Sequence, residues 1–324
     1  MTHVLVTGAS GYIGQALAAR LKAALQVQQI TSLTLADLRF AGDAVDSAGL
    51  RHICGDIGEP SVLAQATSPA PDTVFHLAGI TSRAAQDDFA LGLRVNIGNT
   101  MALFECLRLQ DQVPVVVCAS TIAVYGVPLP SAVDDTTPLM PTMSYGAQKQ
   151  MLEILLANYS QRGWLDGRAV RLPGIVARPG APSAALSAFA SDLIREPANG
   201  RHYICPVAPH ATLWLLSLPA CIDCLLQSAR IAPQQLPANR AWNLPALRAS
   251  TQELVQAVSQ HLGRDISDLI QYQAQPELAA QFAMWPPLST DVSTDVANRL
   301  GMRHDGNLGT LVARALPPTP DFAM

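Results

Sequence analysis

The segment "HVLVTGASGYIG", residues 3–14, decides the fold class because it contains a strand, a glycine turn and the start of a helix. Its first half is a short β-branched run, which is typical of a buried strand. After the turn, apolar residues recur at every fourth position, the spacing of one helix face: Ile13, Leu17, Leu21 and Leu25. A strand followed at once by an amphipathic helix predicts the first unit of an α/β fold.

The turn itself carries three glycines, Gly8, Gly11 and Gly14, and Tyr12 and Ile13 open the helix. Glycine lets the backbone turn tightly and approach a pyrophosphate, which the N–H groups and positive dipole end of the helix stabilise. The spacing is G-x-x-G-x-x-G, whereas many dinucleotide-binding folds have G-x-G-x-x-G. The position of the turn at the first strand–helix junction still predicts that these five residues bind a dinucleotide.

Apolar runs alternate with helical stretches through the first half of the chain. Further strands are predicted at 33–37, 51–57, 73–79, 113–120 and 167–176. Helices are predicted between them, notably at 91–110 and 144–162. Near-continuous apolar strands separated by helices indicate a parallel sheet covered on both faces. The predicted fold class is α/β, with a doubly wound parallel sheet of the Rossmann type.

Beyond about residue 177 this alternation weakens, and Pro- and Gly-rich stretches appear. We predict a dinucleotide-binding domain over residues 1–176, to which residues 212–230 return. Residues 177–211 and 231–324 are predicted to form a smaller C-terminal lobe that closes over the ligand crevice. Two helices are expected in that lobe, at 250–262 and 290–300.

The composition narrows the possible functions. The chain has 324 residues, of which 49% are hydrophobic and 14% charged, with a formal net charge of −4, as expected of a soluble globular protein. A weakly acidic chain has no basic surface for nucleic acid, and no apolar run is long enough to cross a membrane. The six cysteines and the absence of an export signal suit a cytoplasmic protein. Cys221 and Cys224 are interpreted as buried helix thiols, so no metal site is expected.

An acidic residue follows the second predicted strand. Asp37 ends that strand, where a carboxylate accepts hydrogen bonds from ribose hydroxyls and repels a 2′-phosphate, which favours NAD over NADP. Arg39 could accept such a phosphate, so the preference is not absolute. Two later segments are expected beside the cofactor, with these residues: Asp56, Ile57, Leu77, Ala78 and Gly79. His76 is interpreted as a packed histidine at a strand end.

The chain contains only two lysines, Lys22 and Lys149, and Lys149 stands four residues after Tyr145 on a predicted helix. Residues four apart share one helix face, although a surface pair is the simpler interpretation. An ammonium about 4 Å from a phenol is worth roughly 4 kcal/mol at an effective dielectric of about 20, before desolvation takes part of it back. Tyr145 is therefore a candidate base, with Thr121 or Ser120, at the end of the fifth strand, to hold the substrate oxygen.

The motifs "TGASGYIG", "GDI", "HLAG", "ASTIAVYG" and "SYGAQK", in this order, resemble the extended short-chain dehydrogenase/reductases, in their epimerase/dehydratase branch. The resemblance implies bound NAD, Tyr145 as proton acceptor and Lys149 on the nicotinamide ribose. It also implies cofactor contacts by Asn96 and Pro173, although Asn96 by itself would be a solvated helix residue. Family members are often homodimers through a four-helix bundle, here the helices near 91–110 and 144–162.

Departures from the family pattern bear on the substrate. Dehydratases of the family follow the catalytic Thr with an Asp-Glu pair, but Ile122 and Ala123 follow Thr121 here. The segments that would hold a nucleotide diphosphate also lack the expected Asn and Arg. Stretches such as "RLPGIVARPGAPSAAL" resemble a group within the family, the D-erythronate dehydrogenases. That resemblance implies oxidation of the C2 hydroxyl of a four-carbon sugar acid, D-erythronate, to 2-dehydro-D-erythronate (2-oxo-D-erythronate).

A sugar-acid substrate needs a partner for its carboxylate. Arg178 is the candidate, because a guanidinium matches a carboxylate with two parallel hydrogen bonds. Ser82 could donate to a hydroxyl or to the carboxylate, but both residues could equally be surface side chains. Two other functions stay open: a nucleotide-sugar 4-epimerase, which returns the hydride, and a non-catalytic NAD-binding sensor. The intact Thr121, Tyr145 and Lys149 set argues against the sensor.

Overall fold

The structure, a computed structural model, describes residues 2–42, 45–126, 130, 132–180, 188–273, 291–292 and 294–316. The first part of the chain contains β1 (His3–Thr7), α1 (Tyr12–Gln26), β2 (Ser32–Asp37), β3 (Leu50–Cys54), α2 (Pro60–Ala66) and β4 (Thr73–His76). The middle part contains α3 (Ser82–Asp87), α4 (Phe89–Gly92), α5 (Asn99–Arg108), β5 (Val115–Thr121), β6 (Ala132–Val133), α6 (Ser144–Gln161), β7 (Asp166–Leu172) and β8 (Gly174–Val176).

The last part contains α7 (Ala188–Ala198), β9 (Tyr203–Cys205), β10 (Thr212–Ser217), α8 (Leu218–Arg230), β11 (Ala241–Asn243), β12 (Leu247–Ser250), α9 (Thr251–Leu262), β13 (Ile270–Tyr272), β14 (Asp291–Val292), α10 (Asp295–Arg299) and α11 (Leu308–Ala315). Helix α9 confirms the helix predicted at 250–262. The other predicted helix, 290–300, is shorter in the structure, and residues 290 and 293 lie outside the described part.

Seven strands form one parallel sheet in the order β11-β7-β5-β4-β1-β2-β3, which confirms the predicted fold class. Successive side chains of β1 point to opposite faces of the sheet, and both faces are covered by helices. Val4 and Val6 point into one apolar cluster with Leu17 of α1 and Leu225 of α8. Leu5 points the other way, into a second cluster formed mainly with α2, α5 and α6. The strand order reverses between β1 and β4, where crevices of open α/β sheets bind ligands.

Several predicted elements differ in their bounds, and the strand predicted at 73–79 ends at His76. The strand predicted at 167–176 is two strands, because Pro173 lies between β7 and β8 and has no N–H for the ladder. The strand predicted at 51–57 ends at Cys54, and Gly55 follows with a φ of 150°. The helix predicted at 91–110 consists of α4, a π-helical turn over 93–98 and α5.

A second sheet joins β8, β10 and β12, and α7, α9 and α11 pack on a third apolar cluster beside it. The predicted domain division meets three exceptions. Strand β8 lies within the residues assigned to the dinucleotide-binding domain, yet it belongs to this second sheet. Within residues 212–230, α8 packs on the large sheet, whereas β10 pairs with β8 and β12 outside it. Strand β11 lies within the residues assigned to the small lobe, yet it is the edge strand of the large sheet. The apolar pattern of a buried strand does not indicate which sheet the strand joins, or at which edge. The sequence alone could therefore not assign these strands to a sheet.

Within the described ranges, no helix has both the length and the apolar character that a membrane span requires.

Candidate active site

A cleft of about 250 Å³ opens at the carboxyl ends of the central strands. Fourteen predicted site residues line it: Gly8, Gly11, Tyr12, Ile13, Gly14, Leu77, Gly79, Ser82, Ser120, Thr121, Tyr145, Lys149, Pro173 and Arg178. The prediction missed eight lining residues: Ile80, Thr81, Ala119, Ile122, Ala123, Leu172, Gly174 and Ile175. Their side chains are small or uncharged and carry no chemical signal of a site. They could have been predicted only from their position, because each lies within two residues of a predicted site residue.

The glycine turn is required by close backbone packing. Gly8 has a φ of 74°, and a Cβ there would lie 2.6 Å from the amide nitrogen of Ala78. A Cβ on Gly14 would lie 2.0 Å from the carbonyl oxygen of Gly8. Gly11 is the N-cap of α1 and offers no side-chain acceptor to the first helical N–H groups. These donors at a helix N-terminus are suited to the pyrophosphate of a dinucleotide.

Five predicted cofactor contacts lie outside the lining of the cleft: Asp37, Asp56, Ile57, Ala78 and Asn96. Asp37 ends β2, and its Oδ2 accepts a hydrogen bond from the Ser10 amide at 2.9 Å, which fixes the carboxylate beside the turn. Asp56 accepts a hydrogen bond from Asn99 Nδ2 at 2.7 Å, and Ile57 is buried in an apolar cluster. Ala78 packs against Gly8. In this structure Asp56, Ile57 and Ala78 therefore contact the protein itself.

Asn96 is neither a solvated residue nor part of the cleft lining. It is 1% exposed and lies in the π-helical turn. Its Oδ1 accepts a hydrogen bond from the Ile80 amide at 3.0 Å, and its Nδ2 donates to the Ile80 carbonyl and to Gln148 Oε1. Asn96 thus holds the loop after Gly79 against α6. The Asn96 amide is therefore engaged by Ile80 and Gln148, and direct contact with the cofactor stays a prediction.

Tyr145 and Lys149 lie on the same side of α6 and face the cleft together. Lys149 is 4% exposed, and its Nζ lies 5.9 Å from the centroid of the Tyr145 ring. The Tyr145 phenol also forms a hydrogen bond with the Thr121 hydroxyl at the end of β5. The helical spacing of four residues produces the first contact, and the strand end supplies the second.

The predicted electrostatics of Tyr145 are wrong for the protein without a cofactor. Burial raises the pKa of Tyr145 to about 12, and the charge of Arg178 and the Thr121 hydrogen bond only partly oppose it. Burial also lowers the pKa of Lys149 to about 8, with Cys118 and Glu153 acting in the opposite direction. Desolvation therefore dominates the pKa of Tyr145, and Arg178, not Lys149, is the cation that favours the tyrosinate.

The two candidate hydroxyls of β5 differ in their partners. The Ser120 hydroxyl is buried and donates to Glu153 Oε1. Thr121 is half-buried, and its Oγ1 accepts a hydrogen bond from the Ala123 amide at 3.1 Å in addition to its contact with Tyr145. Adjacent residues of a strand point to opposite faces, which separates the two side chains. Thr121 is therefore the hydroxyl beside the phenol.

Arg178 lies just beyond β8, on the wall of the cleft. Its guanidinium carbon is 5.3 Å from the centroid of the Tyr12 ring, so it stacks on the residue that opens α1. The backbone of Arg178 is held by Ser191 Oγ, which accepts from its amide at 2.9 Å, and by Arg195, which donates to its carbonyl at 2.7 Å. Ser82, at the start of α3, is 5% exposed.

The structure confirms two interpretations of residues outside the reaction. His76 is buried between Thr7 and Thr100, at 2.7 and 2.9 Å, and burial lowers its pKa to about 3. It is therefore a neutral packed histidine. Cys221 and Cys224 are buried free thiols on α8, and burial raises the pKa of both.

Comparison with known proteins agrees with this geometry. Residues 4–209 match the family described as NAD dependent epimerase/dehydratase family. A D-erythronate dehydrogenase from Cupriavidus necator is 40% identical over 290 residues, covering 88% of this chain and 89% of that protein. A D-erythronate dehydrogenase from Haemophilus influenzae is 30% identical over 309 residues, covering 95% of this chain and 97% of that protein.

Solved structures share the fold. A nucleoside-diphosphate-sugar epimerase from Agrobacterium tumefaciens superposes with a TM-score of 0.88 at 31% identity, covering 96% of this chain and 92% of that chain. An L-threonine dehydrogenase from Phytophthora infestans gives 0.83 at 24% identity, covering 96% and 97% of the two chains, and shows the fold alone. The glycine turn, the paired Tyr145 and Lys149 and the match over residues 4–209 together show that the chain belongs to the NAD-dependent epimerase/dehydratase family, as an oxidoreductase whose cofactor is NAD.

Proposed function

We propose that the protein oxidises the C2 hydroxyl of D-erythronate to 2-dehydro-D-erythronate with NAD⁺, and that Tyr145 is the general base. The observation that carries this proposal is the placement of Thr121, Tyr145, Lys149 and Arg178 around one cleft. The first three suit the removal of a proton from an alcohol, and a guanidinium suits a carboxylate. Two relatives that are D-erythronate dehydrogenases, at 40% and 30% identity, support the choice of substrate.

The residues of the cleft fit a dinucleotide. The N-terminus of α1 has no side-chain cap, and the backbone from Gly8 to Gly14 lies directly beside the cleft. In our proposal Asp37 takes the adenosine ribose and Lys149 the nicotinamide ribose. Pro173 and Leu77, which line the cleft, are also proposed to contact the cofactor. When bound, NAD⁺ accepts a hydride and adds a positive charge that favours the tyrosinate.

The side chains of the cleft orient the substrate and remove its proton. Thr121 orients the C2 oxygen by a hydrogen bond, and the Tyr145 phenolate removes the proton of that hydroxyl. As the C2–H bond breaks, its electron pair leaves as hydride and the C2 carbonyl forms. Arg178 holds the carboxylate, so that C2 and no other carbon faces the phenol. Ser82 donates a hydrogen bond to the substrate beside it.

A nucleotide-sugar 4-epimerase remains the second candidate, because the Agrobacterium structure that superposes with a TM-score of 0.88 is a nucleoside-diphosphate-sugar epimerase. Such an enzyme would use the same Tyr145 and Lys149 but would return the hydride. The residues after Thr121, Ile122 and Ala123, supply no acid or base for dehydration.

Absorbance of NADH distinguishes the candidates. NAD⁺ is offered with a panel of C4 sugar acids, and separately with UDP-sugars, while the products are analysed by chromatography. NADH formed only with the acids, and fastest with D-erythronate, supports the proposal. Epimerised UDP-sugar without an NADH signal would replace it with the second candidate. NAD binding without turnover of sugar acids or UDP-sugars would indicate a non-catalytic NAD-binding sensor.

We further propose a homodimer. Five apolar side chains are 37–64% exposed on α4, the π-helical turn, α5 and α6: Phe89, Leu93, Met101, Met151 and Ile154. Helix α6 contacts both α4 and the π-helical turn. Apolar side chains clustered on adjoining helices favour a four-helix bundle with a second copy. A cytoplasmic location is also proposed, which the six free thiols suit.

A further inference from the structure

The face of α6 that carries Tyr145 and Lys149 continues for one more turn to Glu153. Residues at spacings of four and eight lie along one side of a helix. Glu153 is 4% exposed, and Arg171 of β7 binds it with two parallel hydrogen bonds, from Nε to Oε1 at 3.0 Å and from Nη2 to Oε2 at 2.8 Å. Ser120 of β5 donates a hydrogen bond to the same carboxylate. The carboxylate thus joins α6, β7 and the end of β5 directly behind the cleft.

Arg171 extends this contact through the sheet. Its Nη1 donates to Tyr125 Oη at 2.9 Å, and that hydroxyl donates to Asn243 Oδ1 of β11 at 3.0 Å. Arg171 is 2% exposed, so each of these bonds is made away from water. A buried arginine whose nitrogens are all engaged holds its carboxylate in one orientation.

Few charges surround the Lys149 ammonium. His76 on β4 and Cys118 on β5 face it, but burial lowers the pKa of His76 to about 3 and raises that of Cys118 to about 12, so neither is charged at neutral pH. Tyr145 on the same helix is a neutral phenol until it reacts. Among the described residues, Glu153 is therefore the one anion that acts on Lys149, and Arg171 forms an ion pair with it.

We propose that Glu153 is a positioning residue for the reaction. Held by Arg171, it keeps the Lys149 ammonium charged beside Tyr145. It also fixes the end of β5, through Ser120, so that Thr121 meets the phenol. The inference rests on the proposed roles of Tyr145 and Lys149.

The lysine content permits a direct test. In a Lys22→Arg background, lysine labelled with ¹³C at Cε gives one NMR signal, from Lys149, and its titration reports the Lys149 pKa without any substrate. Glu153→Gln removes the carboxylate charge and keeps its shape. Residues four apart on a helix lie about 6 Å from each other, so from the Coulomb energy at an effective dielectric of about 20 we expect the Lys149 pKa to fall by about one to two units.

The matched control is Asp166→Asn, the same change at the other end of β7. Asp166 binds the buried Arg168 at 2.8 Å and lies away from the cleft. It should lower the melting temperature as Glu153→Gln does, but leave the Lys149 pKa unchanged. An unchanged Lys149 pKa in folded Glu153→Gln, or an equal fall in the control, would overturn the proposal.

Glu153→Asp separates charge from position, and decides the matter if Glu153→Gln does not fold. It keeps the charge one methylene farther from Ser120 and Arg171. We expect a Lys149 pKa close to the parent value, with turnover reduced about ten- to a hundredfold. Parent-like turnover in Glu153→Asp would refute the positioning role. Failure of the parent to oxidise D-erythronate would refute the proposed function alone, since the NMR titration does not depend on the substrate.

Discussion

Replacing Arg178 with Met tests which residue recognises the substrate. Methionine keeps an unbranched apolar stem as far as the position of Nε and removes the guanidinium, whose carbon lies 5.3 Å from the centroid of the Tyr12 ring. A hydrogen bond to a charged group contributes about 1.5–3 kcal/mol, so the loss of two parallel bonds should cost about 3 kcal/mol even with partial compensation. That corresponds to a loss of about 150-fold in kcat/KM for D-erythronate.

A second effect accompanies the first. Arg178 is the main charge opposing the burial that raises the pKa of Tyr145, so Arg178→Met should raise that pKa further and slow proton removal at pH 8. This effect applies to any alcohol in the cleft. The assay therefore compares NADH formation from D-erythronate with that from erythritol, which lacks the carboxylate. The ratio of the two kcat/KM values isolates the carboxylate contact.

The wild-type enzyme should prefer the acid by about 150-fold, and Arg178→Met should reduce that preference nearly to one. Arg178→Lys keeps the positive charge but lacks the planar guanidinium. Relative to Arg178→Met, it should restore kcat/KM for erythritol more fully than it restores the preference for D-erythronate over erythritol. Arg83→Met is the matched control, because Arg83 neighbours Ser82 but lies outside the lining of the cleft and is 58% exposed. An equal loss with both substrates in Arg178→Met would show that the carboxylate binds elsewhere.

Three other outcomes are expected. Tyr145→Phe should abolish NADH formation while NADH affinity, measured by fluorescence, changes little; near-normal turnover would remove the base assignment. Lys149→Met should abolish turnover yet stabilise the protein without cofactor by about 3 kcal/mol at pH 7, because the pKa of Lys149 is lowered by burial from 10.5 to about 8. The unfolded chain binds the Lys149 proton more tightly than the folded protein does, so the buried ammonium destabilises the folded protein fully below pH 8 and no longer does so as the pH rises towards 10.5. Denaturant titrations at pH 7 and 10.5 measure the difference, and a stabilisation of equal size at both pH values would contradict the prediction. Ile154→Asp, at a side chain 64% exposed on α6, should halve the mass found by sedimentation, whereas Leu109→Asp, 72% exposed beyond α5, should not; identical masses would refute the proposed bundle.

Local patterns were sufficient for the features that depend on one element or one junction. The glycine turn could be predicted because its three glycines lie within seven residues, and backbone geometry requires two of them, Gly8 and Gly14. Tyr145 and Lys149 are readable because a spacing of four in a helix places both side chains on one face whatever surrounds them. A substrate-orienting hydroxyl from Ser120 or Thr121 follows from their place at a strand end, since all carboxyl ends of a parallel sheet meet along one edge.

Features that depend on neighbours distant in the sequence required the tertiary structure. Ser120 and Thr121 were equivalent candidates until Glu153, 33 residues away, was found to accept the Ser120 hydrogen bond. Asn96 was assigned to the cofactor through the family resemblance, and nothing in its own segment indicates that Ile80 and Gln148 use its amide.

The pKa of Tyr145 shows the same limit most clearly. The sequence by itself determined that an ammonium stands one helical turn from the phenol. Only the tertiary structure decided how much water the surrounding strands exclude and that Arg178 is the charge that counters it. The spacing of Tyr145 and Lys149 is set by one helix, so the sequence was sufficient to identify the candidate base. The pKa of Tyr145 could not be predicted in the same way, because all the atoms packed around a group determine its desolvation.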